Sequence, residues 1–329
     1  MKHINVSLFV PHLGCPNSCI FCNQKTISGK CEPLKNEDII KACSIAKNGI
    51  YDIENSEIAF FGGSFTAIER EKMISFLETA GPFVGTHFGG IRISTRPDCI
   101  DREVLEILKK YGVTAIELGA QSMCEDVLIK NERGHTPEDT VRAAALIKEY
   151  GFSLGLQMMT GLYGSTRQKD IYTAEKFIEM CPDTVRIYPT VVLENTKLEQ
   201  LYKSGSYTPP TLEEAVELSA ELLMMFHKND IRVIRLGLHS GGNVEEGLVA
   251  GVYHPAFREL AESEIYKSII EKILSPLPEG EYTVAVNPKE LSKASGQKRS
   301  NILYFAEKGK NIKITGDETL FRYDVIIIN

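Results

Sequence analysis

Short apolar runs alternate with longer amphipathic stretches along the first 240 residues of this chain. The runs "INVSLFV" (4–10), "EIAFFGG" (57–63), "GGIRISTRP" (89–97), "VTAIELGAQS" (113–122), "FSLGLQMMTG" (152–161), "DTVRIYPTVV" (183–192) and "IRVIRLGL" (231–238) predict strands. Helices are expected between them: near 36–49, in "REKMISFLETAG", in "DREVLEILKKYG", in "TPEDTVRAAALIKEYG", near 167–181 and near 211–228. In the third of these helices Val104, Leu105, Leu108 and Tyr111 share a face that stops at Gly112. The fourth opens with Thr136 as N-cap and Pro137 at the first helical position.

Repeated strand–helix units of this length predict parallel strands with right-handed crossovers. Six or seven units are fewer than the eight that close a full barrel. The expected fold is therefore α/β: an open, partial parallel β/α barrel of about six units, over residues 1–240. Its site belongs at the C-terminal ends of the strands, where the βα loops gather. The pattern changes near 241. "SGGNVEEGLVAG" reads as a loop or linker. A helix near 256–274, a strand near 280–287, a helix near 291–308 and strands near 311–315 and 321–328 then predict a small α+β domain over 241–329.

Composition narrows the class. The chain has 329 residues, 43% hydrophobic and 25% charged, which is ordinary for a globular enzyme. A net charge of −7 gives no global positive field to gather nucleic acid. No segment approaches the roughly 20 apolar residues that span a bilayer, and "MKHINVSLFVPHLG" lacks a signal-peptide pattern. A cytoplasmic protein with no membrane partner is expected, where thiols stay reduced. Eight cysteines then read as ligands or core residues rather than bridges.

Three of them stand out. "HLGCPNSCIFCNQ" follows the first strand and places Cys15, Cys19 and Cys22 on one loop. Such a loop can wrap three thiolates around one corner of a 4Fe–4S cluster, leaving the fourth iron open to an outside ligand. The alternative is a zinc knuckle completed by Cys31 or His12, although structural zinc sites usually bring two separated ligand pairs. Cys43, Cys99, Cys124 and Cys181 read as small buried or half-buried residues. At the end of the second strand, "FFGGSFTAIE" carries Gly62 and Gly63, which let backbone approach a ligand with no Cβ in the way.

The Cys-x3-Cys-x2-Cys spacing, with Phe21 before the last cysteine, resembles the signature of the radical S-adenosylmethionine superfamily. More widely, "FVPHLGCPNSCIFCNQ", "FFGGSFT", "ISTRPDCI", "IELGAQSM", "ERGHT", "GLYGST" and "RIYPTVVLENTKLEQLYKSGSYTP" are similar to the radical domain of the Elongator catalytic-subunit family, which modifies the wobble uridine of tRNA. These segments cover most of residues 5–240. Oxygen-independent coproporphyrinogen oxidases are a more distant resemblance.

The resemblance implies two cofactors, a 4Fe–4S cluster on Cys15, Cys19 and Cys22 and S-adenosyl-L-methionine on its open iron. It implies that Gly62, Gly63 and Ser64 hold the methionine amino group, with Ser64 where the superfamily has an acidic residue. Ser94 and Arg96 would face the cofactor from the third strand, and Gln121 and Gln157 would lie near its ribose. Arg133 would bind the methionine carboxylate through paired hydrogen bonds. Tyr188 would line the substrate pocket. The implied chemistry is reductive cleavage to a 5′-deoxyadenosyl radical that abstracts hydrogen from substrate, with an electron donor such as flavodoxin or ferredoxin. The residue that completes catalysis stays unassigned.

Where the relatives carry an acetyltransferase-like domain, about ninety residues stand here, without an acetyl-CoA loop of the Gln/Arg-x-x-Gly-x-Gly/Ala type. Three function classes follow: modification of a tRNA nucleobase; a radical reaction on a small metabolite or tetrapyrrole; and a non-catalytic iron–sulfur or zinc protein. One basic stretch, 289–310, with six basic and two acidic residues, is a candidate phosphate contact or a solvated helix face.

Overall fold

The computed structural model describes residues 4–10, 15, 19–23, 32–49, 52–238 and 245–328. Seven parallel strands form one sheet: β1 Ile4–Phe9, β2 Ser56–Phe61, β3 Gly90–Thr95, β4 Val113–Gln121, β5 Ser153–Thr160, β6 Thr184–Pro189 and, after a short β7 Val191–Leu193, β8 Arg232–Leu236. The order is β1-β2-β3-β4-β5-β6-β8, so each unit adds beside the last and β1 and β8 are the edges. This is the open parallel β/α barrel that the alternation predicts, with one strand more than six.

The strands explain why the barrel has two chemically different faces. Side chains alternate along a strand. Ile58 and Phe60, Ile91 and Ile93, Ile116 and Leu118, Leu154 and Leu156, and Val185 and Ile187 are buried in one core with helix residues such as Ile147 and Phe177. Burying each such side chain contributes about 1.5–3 kcal/mol. The opposite face carries Glu57, Arg92, Ser94, Glu117, Gln157, Arg186 and Tyr188 at alternate positions of the same strands. Several of the covering helices start on side-chain caps. Asp101 accepts from Val104 N at 2.8 Å, and Thr136 from Asp139 N at 3.2 Å with Pro137 in the first turn.

Three elements escape the periodicity. Helices Glu125–Lys130 and Lys197–Lys203 are too short for a periodic signal, and Leu248–Gly251, inside the expected linker, is strand β9, antiparallel to β7. The end of the chain forms a three-stranded sheet, with β10 Gly280–Val286 between parallel β11 Lys310–Gly316 and the antiparallel pair Ile326–Ile327, β12. The last predicted strand is thus two residues long.

The single helix expected near 291–308 is two, Leu291–Ser295 and Ser300–Glu307. Gly296 breaks it at φ 76°, and Asn301 Nδ2 donates to Ala294 O, left open by the break, and to Ser263 O, both at 3.0 Å. A tertiary contact therefore holds a break that pattern alone could not specify. The basic stretch here is partly spent. Lys293 pairs with Glu262 and Glu290, and Lys308 with Glu271.

Candidate cofactor site at the strand ends

Cys15, Cys19 and Cys22 lie past the C-terminal end of β1 and are exposed, buried and half-buried in turn. No described cysteine is in a disulfide. Cys22 N donates to Cys19 O at 3.1 Å, so the last two thiols share a turn. The loop is pinned from both sides. Ile20 N donates to Asn131 O at 3.3 Å, and Leu198 N donates to Ile20 O at 2.8 Å. Ile20 is buried with Val192, Leu198 and Tyr207.

Asn131 links three of the sequence motifs. Fully buried, it ends the helix that precedes "ERGHT", and its Nδ2 donates to Val127 O at 2.8 Å and to Tyr163 O of "GLYGST" at 2.9 Å. From the helix after that second loop Asp170 accepts from Gly161 N at 2.9 Å and from Ser165 Oγ at 2.6 Å, and Tyr207 Oη donates to Gly161 O at 2.7 Å. Burial pushes the Asp170 carboxyl up to about 6. Sequence reading missed these supporting residues. A buried Asn or Asp whose partners are main-chain carbonyls and amides of a folded loop carries no periodic signal in the sequence.

Arg133 reaches the cysteine loop. Its Nη1 donates to Cys19 Sγ at 3.0 Å and its Nη2 to Gly119 O at 2.5 Å. Among the described residues its buried Nε has no acceptor. A free N–H of a buried guanidinium is an opening for an anionic ligand group. His135, two residues on, is buried with Nε2 3.2 Å from Ala120 O, which makes Nε2 the protonated nitrogen. Burial first, then the charges of Arg133 and Arg96, push its pKa down to about 4.

The other expected residues divide by where their side chains go. Gly62 and Gly63 follow β2 at φ 77° and 54°, and the nearest atoms to a Cβ at Gly62 would be Phe9 and Val10, at the end of β1. Gln157 Nε2 donates to Gln121 Oε1 at 3.2 Å, joining β4 and β5. Gln121 sits at φ 67°, a conformation that costs a non-glycine residue about 1–3 kcal/mol. Ser94 Oγ donates to Glu117 Oε2 at 3.5 Å. Two residues have their polar groups taken by neighbours. Ser64 is fully buried against Thr95 Oγ1 at 2.8 Å and Arg96 N at 3.2 Å, and Arg96 is bound to Asp98 by two hydrogen bonds at 2.9 and 2.8 Å.

Of the remaining cysteines, Cys43 is buried and its thiol is pushed up to about 11 by that burial, while Cys99 and Cys124 are half-buried. Cys181 departs from expectation, being exposed at the left-handed end of a helix. Cys31 and His12 lie outside the described residues. His254 accepts from Ala256 N at 3.1 Å and so shapes the start of the helix Phe257–Leu274.

Deeper in the barrel lies a charge network. Arg92 Nε donates to Glu57 Oε2 at 2.7 Å and its Nη1 to Glu117 Oε1 at 3.3 Å. Arg186 Nη2 donates to Glu117 Oε1 at 2.9 Å, and its Nε lies 2.7 Å from Oε2 but off the hydrogen-bonding angle. Arg186 also stacks over Phe61, 4.9 Å from the ring centre. Arg235, paired with Arg186 across β6 and β8, donates through Nε to Gly237 O at 2.9 Å. Burial and the charges of Arg186 and Arg258 lower its pKa, against the opposing pull of Tyr188. The sequence did hold a signal for this network: single charges inside otherwise apolar strands of a sheet covered by helices. A cavity of about 250 Å³ near Arg232, Arg258 and Arg322 lies by the N-terminal end of β8, the opposite end of the sheet from the thiols. The strand-end site rests on the thiols and their partners.

The residues present fit the cofactors. Three thiols on one loop, a glycine pair with no Cβ and a buried guanidinium N–H unmatched among the described residues lie at one end of the parallel strands. Among the described residues no three His, Cys, Asp or Glu side chains converge on a single-ion position. A cubane needs no such convergence, because each thiolate takes its own iron.

Comparison with known proteins bears on most of the chain. The family description "Radical SAM superfamily" matches residues 9–177, and "Radical_SAM C-terminal domain" matches 182–267. The tRNA uridine(34) acetyltransferase of Dehalococcoides mccartyi is 28% identical over 239 residues, 62% of this chain and 52% of that protein. Human Elongator complex protein 3 is 31% identical over 197 residues, 53% of this chain and 36% of that one. This chain thus spans about half or less of the length of these relatives. In fold, the archaeal Methanocaldococcus infernus Elp3 with an N-terminal deletion superposes with a TM-score of 0.64 at 23% identity, over 83% of this chain and 64% of that one. Methylornithine synthase superposes at 0.52 and 15% identity, over 72% and 71%. With the superfamily match spanning more than half of its residues, and its fold and thiol loop agreeing, the chain belongs to the radical S-adenosylmethionine superfamily.

Proposed function

We propose that this protein is a radical S-adenosylmethionine enzyme that modifies a nucleobase of tRNA. When bound, the cluster and S-adenosylmethionine supply a 5′-deoxyadenosyl radical by one-electron cleavage of a carbon–sulfur bond, and the protein's task is to bind, orient and exclude. Cys15, Cys19 and Cys22 would hold the cluster. Main-chain groups of Gly62 and Gly63 would take the methionine amino group, with Ser64 bracing that loop from behind. Arg133 would offer its free Nε–H to the methionine carboxylate, and Gln121 and Gln157 would present amides to the ribose. Asn131 and Asp170 hold the loops that place these groups. An electron donor of flavodoxin or ferredoxin type supplies the reductant.

The lumen supports an electron-rich substrate. Of its named charges, Arg92, Arg186 and Arg235 face only two carboxylates, Glu57 and Glu117. Tyr188, which accepts from Arg186 Nη1 at 3.5 Å, would stand beside the substrate. An excess cation next to an aromatic hydroxyl suits a pyrimidine carbonyl or a flanking phosphate. The net charge of −7 favours the second reading, a radical reaction on a small metabolite or tetrapyrrole.

The observation that carries the proposal is the meeting of the thiol loop and Arg133 at the strand ends. Its test is anoxic reconstitution with iron and sulfide, then dithionite and S-adenosylmethionine. Release of 5′-deoxyadenosine is expected, with a rise on adding tRNA. No release from cluster-loaded protein sinks the enzyme reading. Release that tRNA leaves unchanged, with no salt-sensitive tRNA binding, sinks the substrate.

A further inference from the structure

Cys19 and Arg133 stand 114 residues apart in sequence, yet the arginine donates directly to the sulfur. Both are almost fully buried, 9% and 7% exposed. The guanidinium is anchored in this pose. Its Nη2 donates to Gly119 O, and the main-chain N of Arg133 donates to Leu128 O at 3.0 Å. Among the described residues no carboxylate pairs with Arg133, so its charge is not cancelled locally. Arg96, by contrast, lies near Cys19 but is bound to Asp98 through both arms of its guanidinium.

We infer that Arg133 is a positioning residue that acts through the Cys19 sulfur to set the reduction potential of the cluster. The inference rests on the reading of Cys15, Cys19 and Cys22 as cluster ligands. Reduction of a 4Fe–4S cluster adds one electron, taken here from dithionite, and no bond forms or breaks. The added negative charge spreads onto the sulfurs. An N–H donor to a ligating sulfur and an uncancelled positive charge beside it both favour the more negative form, which raises the potential. Burial of donor and acceptor keeps water from screening the effect. One side chain would therefore make the cluster easier to reduce and leave its Nε–H for the cofactor carboxylate. Electron entry and cofactor binding would be coupled at one guanidinium.

The test compares wild type, R133Q and R133K, each reconstituted anoxically and titrated with dithionite in the absence of S-adenosylmethionine. Leaving the cofactor out removes any contribution from carboxylate binding. Iron and sulfide content report the cluster, and the reduced-cluster electron paramagnetic resonance signal reports the midpoint. R133Q is expected to hold the cluster and titrate at a more negative potential, with R133K, which keeps charge but loses the fork, in between. A cluster-loaded R133Q with the wild-type midpoint overturns the inference. Should R133Q fail to load, R133K decides: a more negative midpoint upholds it and an unchanged one overturns it. A wild type that takes up no iron and sulfide fails at the cluster reading itself, which is a distinguishable result.

Discussion

Gly155 on β5 faces Glu117 on β4 so closely that a Cβ on the glycine would lie 2.8 Å from Glu117 Cγ and 3.1 Å from Thr184 Oγ1. The glycine inside this strand leaves room for a carboxylate on the neighbouring one. Gly155→Ala should force Glu117 aside and cost about 1–3 kcal/mol. Urea unfolding of the purified protein reads this as a lower midpoint at constant slope, and an unchanged midpoint would show that the lumen adapts freely.

Glu117 itself is 3% exposed and stands between Arg92 and Arg186. Removing one partner of a buried ionic group leaves the others uncompensated, at about 3–5 kcal/mol. Glu117→Gln should therefore destabilise strongly despite its near-identical shape. Glu117→Gln with Arg186→Met should recover part of the loss, and a double mutant no better than the single would contradict the pairing.

Two buried groups give the stability curve opposite slopes in acid. His135 is held down to about 4 from an ordinary 6.5, so the folded state binds fewer protons than the unfolded. Its contribution is intact above 6.5 and is lost as pH falls toward 4, by up to about 3 kcal/mol. Asp170 is raised to about 6, so the folded state binds the proton more tightly and its contribution grows as pH falls from 6 toward 4. His135→Gln should flatten the acid loss, and Asp170→Asn should steepen it. Denaturation midpoints between pH 4 and 7 that move the same way in both variants would refute this assignment.

Asn131 ties the cysteine loop to two other loops through Ile20 N and Tyr163 O. Asn131→Leu leaves the Tyr163 and Val127 carbonyls without their Nδ2 donor, at about 1–3 kcal/mol, and loosens the turn whose main-chain carbonyl accepts from Ile20 N of the thiol loop. Iron retention after gel filtration should fall relative to wild type. Full retention would mean that the loop holds its shape without this link.

Cys19→Ala removes the buried thiol of the loop. Iron and sulfide content should drop and 5′-deoxyadenosine release should disappear under anoxic reducing conditions. Turnover at the wild-type level would refute the cluster assignment.

Much was written in local pattern. The apolar runs specified the strands of the sheet, Asp101 and Thr136 the helix starts, and the three-cysteine spacing the cofactor class. These are readable because periodicity, capping and a loop of thiols are short-range properties. Other features depended on distant partners. Ser64 and Arg96 carry polar groups suited to a cofactor, yet packing spends both on Thr95 and Asp98. Asn131 and the Glu117 network gained their roles from chain segments dozens of residues away, and Asp170 from the loop just before its helix. The break at Gly296 needed Asn301 folded back against Ala294. Sequence alone thus determined the kinds of element and the chemistry of the thiol loop. Tertiary structure decided which polar groups face the site, because a hydrogen bond or charge pair is fixed by proximity in space, which neighbouring residues in the chain do not encode.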